Sequence, residues 1–131
     1  MNDALNNEKL ILAVDLGTSG MKVALITPQG EVVGWEAEPV RLLITTDGGA
    51  EQVPDEWWAA FLTASKRMLQ KHPGAADRVC AVCCSTQGEG TVPVNREGKA
   101  LSNCILWMDM RGAENLRRQL GGLINFNGAA I

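Results

Sequence analysis

The 131-residue sequence has no long apolar run, and none of its apolar segments approaches the ~20 residues that a helix needs to cross a bilayer. Residues 1–8 contain neither the basic segment nor the apolar segment of a secretory signal peptide. We therefore predict a cytoplasmic protein without a membrane partner. That location also gives no oxidising compartment in which disulfides would persist.

An excess of basic residues is also missing. The chain has 12 Lys and Arg against 15 Asp and Glu, which gives a net charge of −3 at pH 7. Nucleic-acid-binding domains carry a basic patch that neutralises phosphates, so nucleic acid is not expected as a partner. The 46% hydrophobic and 21% charged residues are typical of a folded globular chain of one domain, or part of one.

The sequence has only four cysteines: Cys80, Cys83, Cys84 and Cys104. A zinc site of the paired type needs a second CxxC, which the sequence lacks. Residues 79–84 are predicted to form a buried strand, in which Cys80 and Cys83 would point to opposite faces. We therefore predict that these cysteines are small buried apolar side chains.

Apolar runs and turn residues predict the element order βββαββα. The predicted strands are residues 10–14, 21–26, 31–38, 79–84 and 91–94. The first three are joined by short turns and should form an antiparallel meander. Residues 45–49 are predicted to be a loop, and residues 101–107 form a segment of mixed character.

Two amphipathic helices complete the predicted order. The first begins at Pro54, and its apolar stripe should face the sheet; the stripe consists of Trp58, Phe61, Leu62, Ser65, Met68 and Leu69, with Trp57 at its edge. We expect both tryptophans to serve the core rather than a ligand. The second helix is marked by Ala113, Leu116, Leu120 and Leu123 and is interrupted by Gly121 and Gly122.

One polar motif lies in the predicted turn between the first two strands. It reads Asp15-x-Gly17-Thr18-Ser19-Gly20-x-Lys22. Small residues let backbone N–H groups approach a polyphosphate, the two hydroxyls can donate to its oxygens, and Lys22 adds a cation. Asp15 could hold Mg²⁺ directly or through water. The alternative is a turn in which Asp15 caps its own backbone.

Three further segments occur with this hairpin in a fixed order: residues 51–58 (EQVPDEWW), 85–91 (STQGEGT) and 105–111 (ILWMDMR). Together they resemble the FGGY carbohydrate kinases, the family of glycerol, xylulose and ribulose kinases. The resemblance implies the N-terminal part of the first domain of an actin-like ATPase (ribonuclease-H-like) α/β fold. It divides the chain into a polar tail, residues 1–9, and a partial FGGY kinase N-terminal domain, residues 10–131.

The resemblance also implies roles for particular residues and a requirement for ATP and Mg²⁺. Asp15, Gly17, Thr18 and Ser19 match the family's first phosphate and magnesium loop, with Lys22 beside them. Gln87, Gly88 and Glu89 match the loop that contacts the sugar or polyol. Trp107 would offer an apolar wall to the substrate's carbon chain, and Asp109 would either accept substrate hydroxyls or pair with Arg111.

The Gly88-Glu89 pair departs from the family pattern. This pair is usually Met-His in xylulose kinases and Arg-Glu in glycerol kinases. Gly88 therefore leaves a wider pocket, while Glu89 could still accept a hydroxyl. The sequence accordingly favours neither xylulose nor glycerol as the substrate.

The catalytic base and the adenine-binding loops of the resembled kinases lie downstream of every matched segment. We therefore expect the 131-residue chain alone to be inactive, as an N-terminal fragment of a kinase. The first alternative is a noncatalytic module that binds a sugar or a protein, and the second is an actin-like or chaperone-like nucleotide switch. We also expect self-association through an exposed apolar surface at the open sheet edge and around Leu116, Leu120 and Leu123.

Overall fold

The computed structural model describes residues 8–119, and the backbone of residues 125–126 and 129–130. In chain order the elements are β1 (Leu10–Gly17), β2 (Gly20–Ile26), β3 (Val32–Pro39), β4 (Leu43–Ile44), β5 (Ala50–Gln52), α1 (Pro54–Lys71), a 3-10 turn (Ala76–Arg78), β6 (Val79–Thr86), β7 (Cys104–Ile105), α2 (Ala113–Gln119), β8 (Asn125–Phe126) and β9 (Ala129–Ala130).

The main sheet has the strand order β3-β2-β1-β6. The first three strands are antiparallel neighbours, as predicted, and the turn at Thr18 and Ser19 joins β1 to β2. β6 pairs in parallel with β1, which requires a long crossover, and α1 supplies it. Tight packing at the hairpin requires glycine at position 20, where a Cβ atom would lie 2.6 Å from the Glu38 carbonyl oxygen.

The core lies between α1 and one face of β1, β2 and β3. Alternation along β2 sends Met21, Val23 and Leu25 into this core. The buried side of α1 is formed by Ala60, Ala64, Ser65 and Met68, with Trp57, Phe61 and Leu69 partly buried beside them.

The predicted stripe of α1 is wrong at two positions. Trp58 is 63% exposed and Leu62 is 48% exposed, so neither is buried against the sheet. Ala60 and Ala64 lie against the sheet instead, because small side chains let the helix axis approach it closely. Trp57 packs against the core, as expected for a structural tryptophan.

A second, smaller sheet has the order β4-β5-β7 and was not predicted. Its strands are two or three residues long, too short to show an alternating pattern. The predicted loop at residues 45–49 joins β4 to β5. The predicted strand at residues 91–94 is wrong: two isolated bridges occur there, Thr91 with Ile105 and Val94 with Ala100, and Pro93 has no N–H with which to continue a ladder.

Residues 79–84 form the predicted strand, but the prediction that this strand is buried is wrong. β6 is exposed over most of its length, and so are Cys80, Cys83 and Cys84. Cys104 is buried, as predicted. The reason is topological, because β6 is an edge strand: among the described residues it pairs only with β1.

α2 is short and surface-lying, and its Leu116 is 50% exposed. The predicted helix positions Leu120, Gly121, Gly122 and Leu123 lie outside the described residues. Neither of the described helices is long and apolar enough to cross a membrane.

Candidate functional site

The carboxyl ends of the parallel strands β1 and β6 lie side by side, and most of the predicted site residues are there. The ladder pairs Asp15 of β1 with Lys22 of β2 on one side and with Ser85 of β6 on the other. The same ladder continues beyond β6, where the backbone N–H of Gln87 donates to the Leu16 carbonyl at 2.7 Å. Ligands of α/β sheets commonly bind outside the carboxyl ends of the strands.

Asp15 and Lys22 point away from α1, toward the uncovered face of the sheet. The Lys22 ammonium donates to Asp15 Oδ2 at 3.0 Å. The Asp15 side chain is 45% exposed and the Lys22 side chain is 53% exposed, so a ligand in solution can reach both. Within the described residues, the Asp15 carboxylate contacts this lysine rather than the backbone of its own turn, so the self-capping alternative has no supporting contact.

Gly17 brings backbone close to this ion pair. A Cβ atom at Gly17 would lie 3.3 Å from Lys22 Nζ and 3.8 Å from Asp15 Oδ2, so any larger residue would fill the space beside them. A groove of about 420 Å³ continues from here across the uncovered face, where β1, β2, β3 and β6 all contribute side chains. The hairpin therefore presents a carboxylate, an ammonium and accessible backbone at one end of an open groove.

The residues around Asp15 are compatible with Mg²⁺ that is held mostly by a ligand. The described residues contain no cluster of three or more His, Cys, Asp or Glu that could hold a metal ion by themselves. Mg²⁺ is usually bound by one or two carboxylates, with water and substrate phosphates completing its shell. A single exposed carboxylate beside an open groove fits that mode.

On the other side of the hairpin, three residues form a closed ring of hydrogen bonds. Gln52 Nε2 donates to the Thr18 carbonyl at 2.8 Å, the Thr18 hydroxyl donates to Gln87 Oε1 at 2.9 Å, and Gln87 Nε2 donates to Gln52 Oε1 at 2.8 Å. We call these three residues the amide ring. Each member donates once and accepts once within it, so the ring joins the hairpin, β5 and the loop after β6.

Two indoles donate into the amide ring from outside. Trp57 Nε1 donates to Gln52 Oε1 at 3.2 Å, and Trp107 Nε1 donates to the Thr18 hydroxyl at 3.3 Å. Trp57 is packed in the core, whereas Trp107 is 58% exposed and borders the site. Thr18, predicted as a phosphate donor, thus has both hydroxyl interactions directed to protein groups in this structure. Ser19 is exposed at the tip of the turn.

The loop that follows β6 is exposed beyond Gln87. Gly88 and Glu89 face solvent, and a Cβ atom at Gly88 would meet nothing within 4 Å. Glu89 has a φ of 58°, in the left-handed region that disfavours residues other than glycine. Strained backbone of this kind is concentrated at functional sites. Glycine at position 89 would adopt this φ more easily, but it would lack the carboxylate of Glu89.

Asp109 lies apart from the amide ring in an ion-pair cluster. Its side chain is 6% exposed and pairs with Arg111 at 2.6 Å, and it also accepts a hydrogen bond from the Ala50 N–H at 2.9 Å. The Arg111 guanidinium and this N–H hold the pKa of the Asp109 carboxyl well below its usual value. Of the two predicted roles of Asp109, the pairing with Arg111 is present in the structure, and Arg111 also reaches Glu51.

The sequence analysis did not identify Gln52 as a site residue, nor the hydrogen bond that the Trp57 indole donates to it. Both lie in the 51–58 segment that carried the family resemblance, where Gln52 drew no attention because its partners are 34 and 35 residues away in the chain. The available signal was the position of this glutamine, two residues before the predicted helix start at Pro54.

The fold and this arrangement define the class of protein: the N-terminal sheet of an actin-like ATPase fold, with a polar hairpin and a second polar loop at the ends of its parallel strands. The model of the FGGY family of carbohydrate kinases, N-terminal domain, matches residues 10–122. The chain belongs to this family.

Individual relatives agree with that assignment. The chain is 33% identical over 105 residues to a xylulose kinase of Escherichia coli K12, covering 80% of this chain and 21% of that protein. It is 27% identical over 120 residues to a glycerol kinase of Thermococcus gammatolerans, covering 89% of this chain and 24% of that protein. Among solved structures, a xyloylose kinase from Brucella ovis matches with a TM-score of 0.78 and 30% identity, over 86% of this chain and 24% of that one. The chain therefore spans about a quarter of the length of the relatives it matches.

Proposed function

We propose that this chain supplies the N-terminal part of a kinase that transfers a phosphoryl group from ATP to a hydroxyl of a ketose or polyol. The amide ring carries the proposal, because it holds the hairpin that contains Asp15 against the loop that contains Gln87. Phosphoryl transfer needs a phosphate site and a hydroxyl site in direct contact, and these two loops meet at the ends of β1 and β6.

The hairpin is the proposed phosphate site. Asp15 would hold Mg²⁺, directly or through water, and the bound ion would compensate phosphate charge. Gly17 and Ser19 would offer backbone and hydroxyl donors, and Lys22 would exchange its contact with Asp15 for a phosphate oxygen. Thr18 would take part mainly by connecting this hairpin to the second loop, since its hydroxyl is already paired.

The loop after β6 is the proposed sugar or polyol site. Gln87 anchors it, Glu89 would accept a substrate hydroxyl, and Trp107 would pack against the carbon chain. The open space at Gly88 admits substrates larger than a site with a side chain there would. Asp109 would contribute indirectly, by holding the segment that carries Trp107 through its pair with Arg111.

The complete reaction requires sequence beyond the segments matched here, because the chain spans about a quarter of the relatives' length. We propose that the general base and the adenine site belong to that further sequence, and that the 131-residue chain alone shows no turnover in a coupled ADP-release assay. We further propose that the kinase acts in the cytoplasm, which fractionation of cells with an antibody to this chain would test.

A chimera tests the proposed function directly. This chain would replace the matching N-terminal segment of the E. coli xylulose kinase, and ADP release would be measured with D-xylulose, glycerol and gluconate. We expect Mg²⁺-dependent turnover with at least one of them. Asp15→Asn should lower kcat by orders of magnitude without unfolding the chimera, since the carboxylate acts through charge.

The matched control is Asp77→Asn, at an exposed aspartate in the 3-10 turn before β6. It makes the same chemical change at the opposite end of β6 from the proposed site and should leave turnover unchanged. A folded chimera that turns over none of the three substrates, or one whose kcat is indifferent to Asp15→Asn, would contradict the proposal.

A noncatalytic sugar-binding module is the second candidate. It is favoured by the exposure of Trp107, Gly88 and Glu89, which a sugar could reach in the 131-residue chain as it stands. Titration of this chain with the same three compounds separates the candidates when it is followed by tryptophan fluorescence in a Trp35→Phe/Trp58→Phe background, which keeps Trp57 in the core and Trp107 at the site. A further Trp107→Phe variant identifies the part of the response that comes from Trp107. Saturable binding together with an inactive chimera would favour the module.

A further inference from the structure

We infer that Gln52 is a positioning residue that sets the hairpin of Thr18 and the loop of Gln87 in register with each other. The inference rests on the proposed function only in naming these loops as the phosphate and sugar sites. Gln52 itself does not line the groove beside Asp15. It acts through the two loops, from the fully buried end of β5.

The orientation of the Gln52 amide is fixed by its partners. Its Oε1 accepts from the Trp57 indole and from Gln87 Nε2, while its Nε2 donates to the Thr18 carbonyl. A flipped amide would turn its N–H groups toward two donors and its oxygen toward a carbonyl. A buried amide without matched partners is costly, so only the observed orientation is stable.

That orientation determines the next member of the amide ring. Because Gln52 Oε1 accepts from Gln87 Nε2, the side-chain amide of Gln87 must turn its Oε1 toward Thr18. The Thr18 hydroxyl therefore directs its proton to Gln87 and its lone pairs to the Trp107 indole. The side chain of an exposed site tryptophan is thus positioned by a buried glutamine that it does not touch.

Gln52 is well placed for this task because its backbone belongs to a held segment. Gln52 pairs with Cys104 of β7, the preceding residues of β5 pair with β4, and α1 begins two residues after Gln52. The two loops, in contrast, are exposed at their tips. Loss of the Gln52 amide would therefore free the loops while the helix and sheets stay in place.

Nuclear magnetic resonance of the 131-residue chain, without ligand, tests the inference. Indole N–H signals report Trp57 and Trp107 separately, and hydrogen exchange reports the Gln87 amide, which donates to Leu16. In Gln52→Leu we expect the Trp107 indole signal to move. We also expect the substitution to speed exchange of the Gln87 backbone N–H by about fivefold to tenfold more than it speeds exchange of the core amides, the factor that loss of one hydrogen bond gives. Gln70→Leu, at an exposed glutamine of α1, is the control and should change neither signal.

A second pair of variants enters the ring from the surface, in case Gln52→Leu fails to fold. Thr18→Val removes the hydroxyl but keeps the carbonyl that Gln52 contacts, and Thr18→Ser keeps both. We expect Thr18→Val to shift the signals of Trp107, Gln87 and, through Gln52, Trp57, and Thr18→Ser to restore all three.

The inference is overturned if Gln52→Leu moves the Trp57 signal alone, or if Gln87 exchanges faster only by the factor that applies to the whole core. It is also overturned if Thr18→Val leaves Trp57 and Gln87 unchanged. Because no ligand is used, these outcomes are independent of the chimera's activity: an intact ring in an inactive chimera would count against the proposed function alone.

Discussion

Gly88 and Gly90 flank Glu89 in the loop after β6, and the structure predicts opposite responses when each receives a side chain. A Cβ atom at Gly88 meets nothing within 4 Å, whereas at Gly90 it would lie 3.0 Å from the Sγ of Cys104, which is fully buried. Neither glycine has the left-handed φ that alanine would resist. Space, rather than backbone conformation, therefore separates the two positions.

The expected magnitudes follow from that difference. Gly88→Ala should change the free energy of unfolding by no more than about 0.5 kcal/mol, as at other surface positions. Gly90→Ala forces carbon and sulfur closer than the ~3.5–4.0 Å at which dispersion contacts are optimal. Overpacking of this kind costs about 1–3 kcal/mol, because Cys104 is fully buried between Ala50 and Leu106 and can move only by displacing its neighbours.

Urea unfolding followed by far-UV circular dichroism measures both changes, with the m-value as a check that the transition remains comparable. The double variant Gly90→Ala/Cys104→Ala should recover most of the loss, since it removes the sulfur that the new methyl group meets. Equal stabilities of Gly88→Ala and Gly90→Ala would refute this reasoning, as would additivity in the double variant. Gly88→Met and Gly88→Arg, which introduce the residue types of xylulose and glycerol kinases, should fold like the parent chain.

Three further predictions concern ionisation, thiol reactivity and association. Arg111 lowers the pKa of Asp109 in the folded chain, so the pair stabilises the chain above the ordinary carboxyl pKa of 3.8 and ceases to do so as the pH falls further. The stability of Asp109→Asn should therefore depend less on pH in an acid-unfolding experiment over that range. An identical profile for the variant and the parent chain would contradict the pairing. A thiol reagent should modify three of the four cysteines in the folded chain and Cys104 only on unfolding; four fast thiols would contradict its burial. Sedimentation at several concentrations should show self-association, and Val82→Lys on exposed β6 should weaken it. A monomer at all concentrations that binds no dye for exposed apolar surface would contradict this prediction.

The parts of the fold that sequence could predict are those whose pattern is local. The first three strands and their turns follow from alternation and from turn residues within a few positions, and the start of α1 follows from Pro54 and the acids after it. The phase of α1 was wrong at Trp58 and Leu62 because large apolar residues dominate a periodicity argument. Ala60 and Ala64 pack against the sheet instead, and their small size matters only once a packing partner is present.

The candidate site divides along the same line. Asp15 and Lys22 could be placed together from sequence, since both lie on one hairpin and their ladder pairing follows from its short turn. The amide ring could not, because Gln52 meets partners from two distant loops. The role of Asp109 was left open between substrate and Arg111, and the choice depends on Ala50, whose N–H approaches from β5, 59 residues earlier in the chain.

The most informative failure concerns β6. Its composition is apolar on both faces, as in a strand covered on each side, and it has none of the charged or proline residues with which natural edge strands discourage pairing. Yet in the described part of the chain it is an exposed edge. Both halves of the proposed site lie at the carboxyl ends of β1 and β6, so whatever polypeptide covers β6 would also border the groove beside Asp15. The surface through which we predict the 131-residue chain to self-associate is thus the one through which a kinase of this family would complete its site.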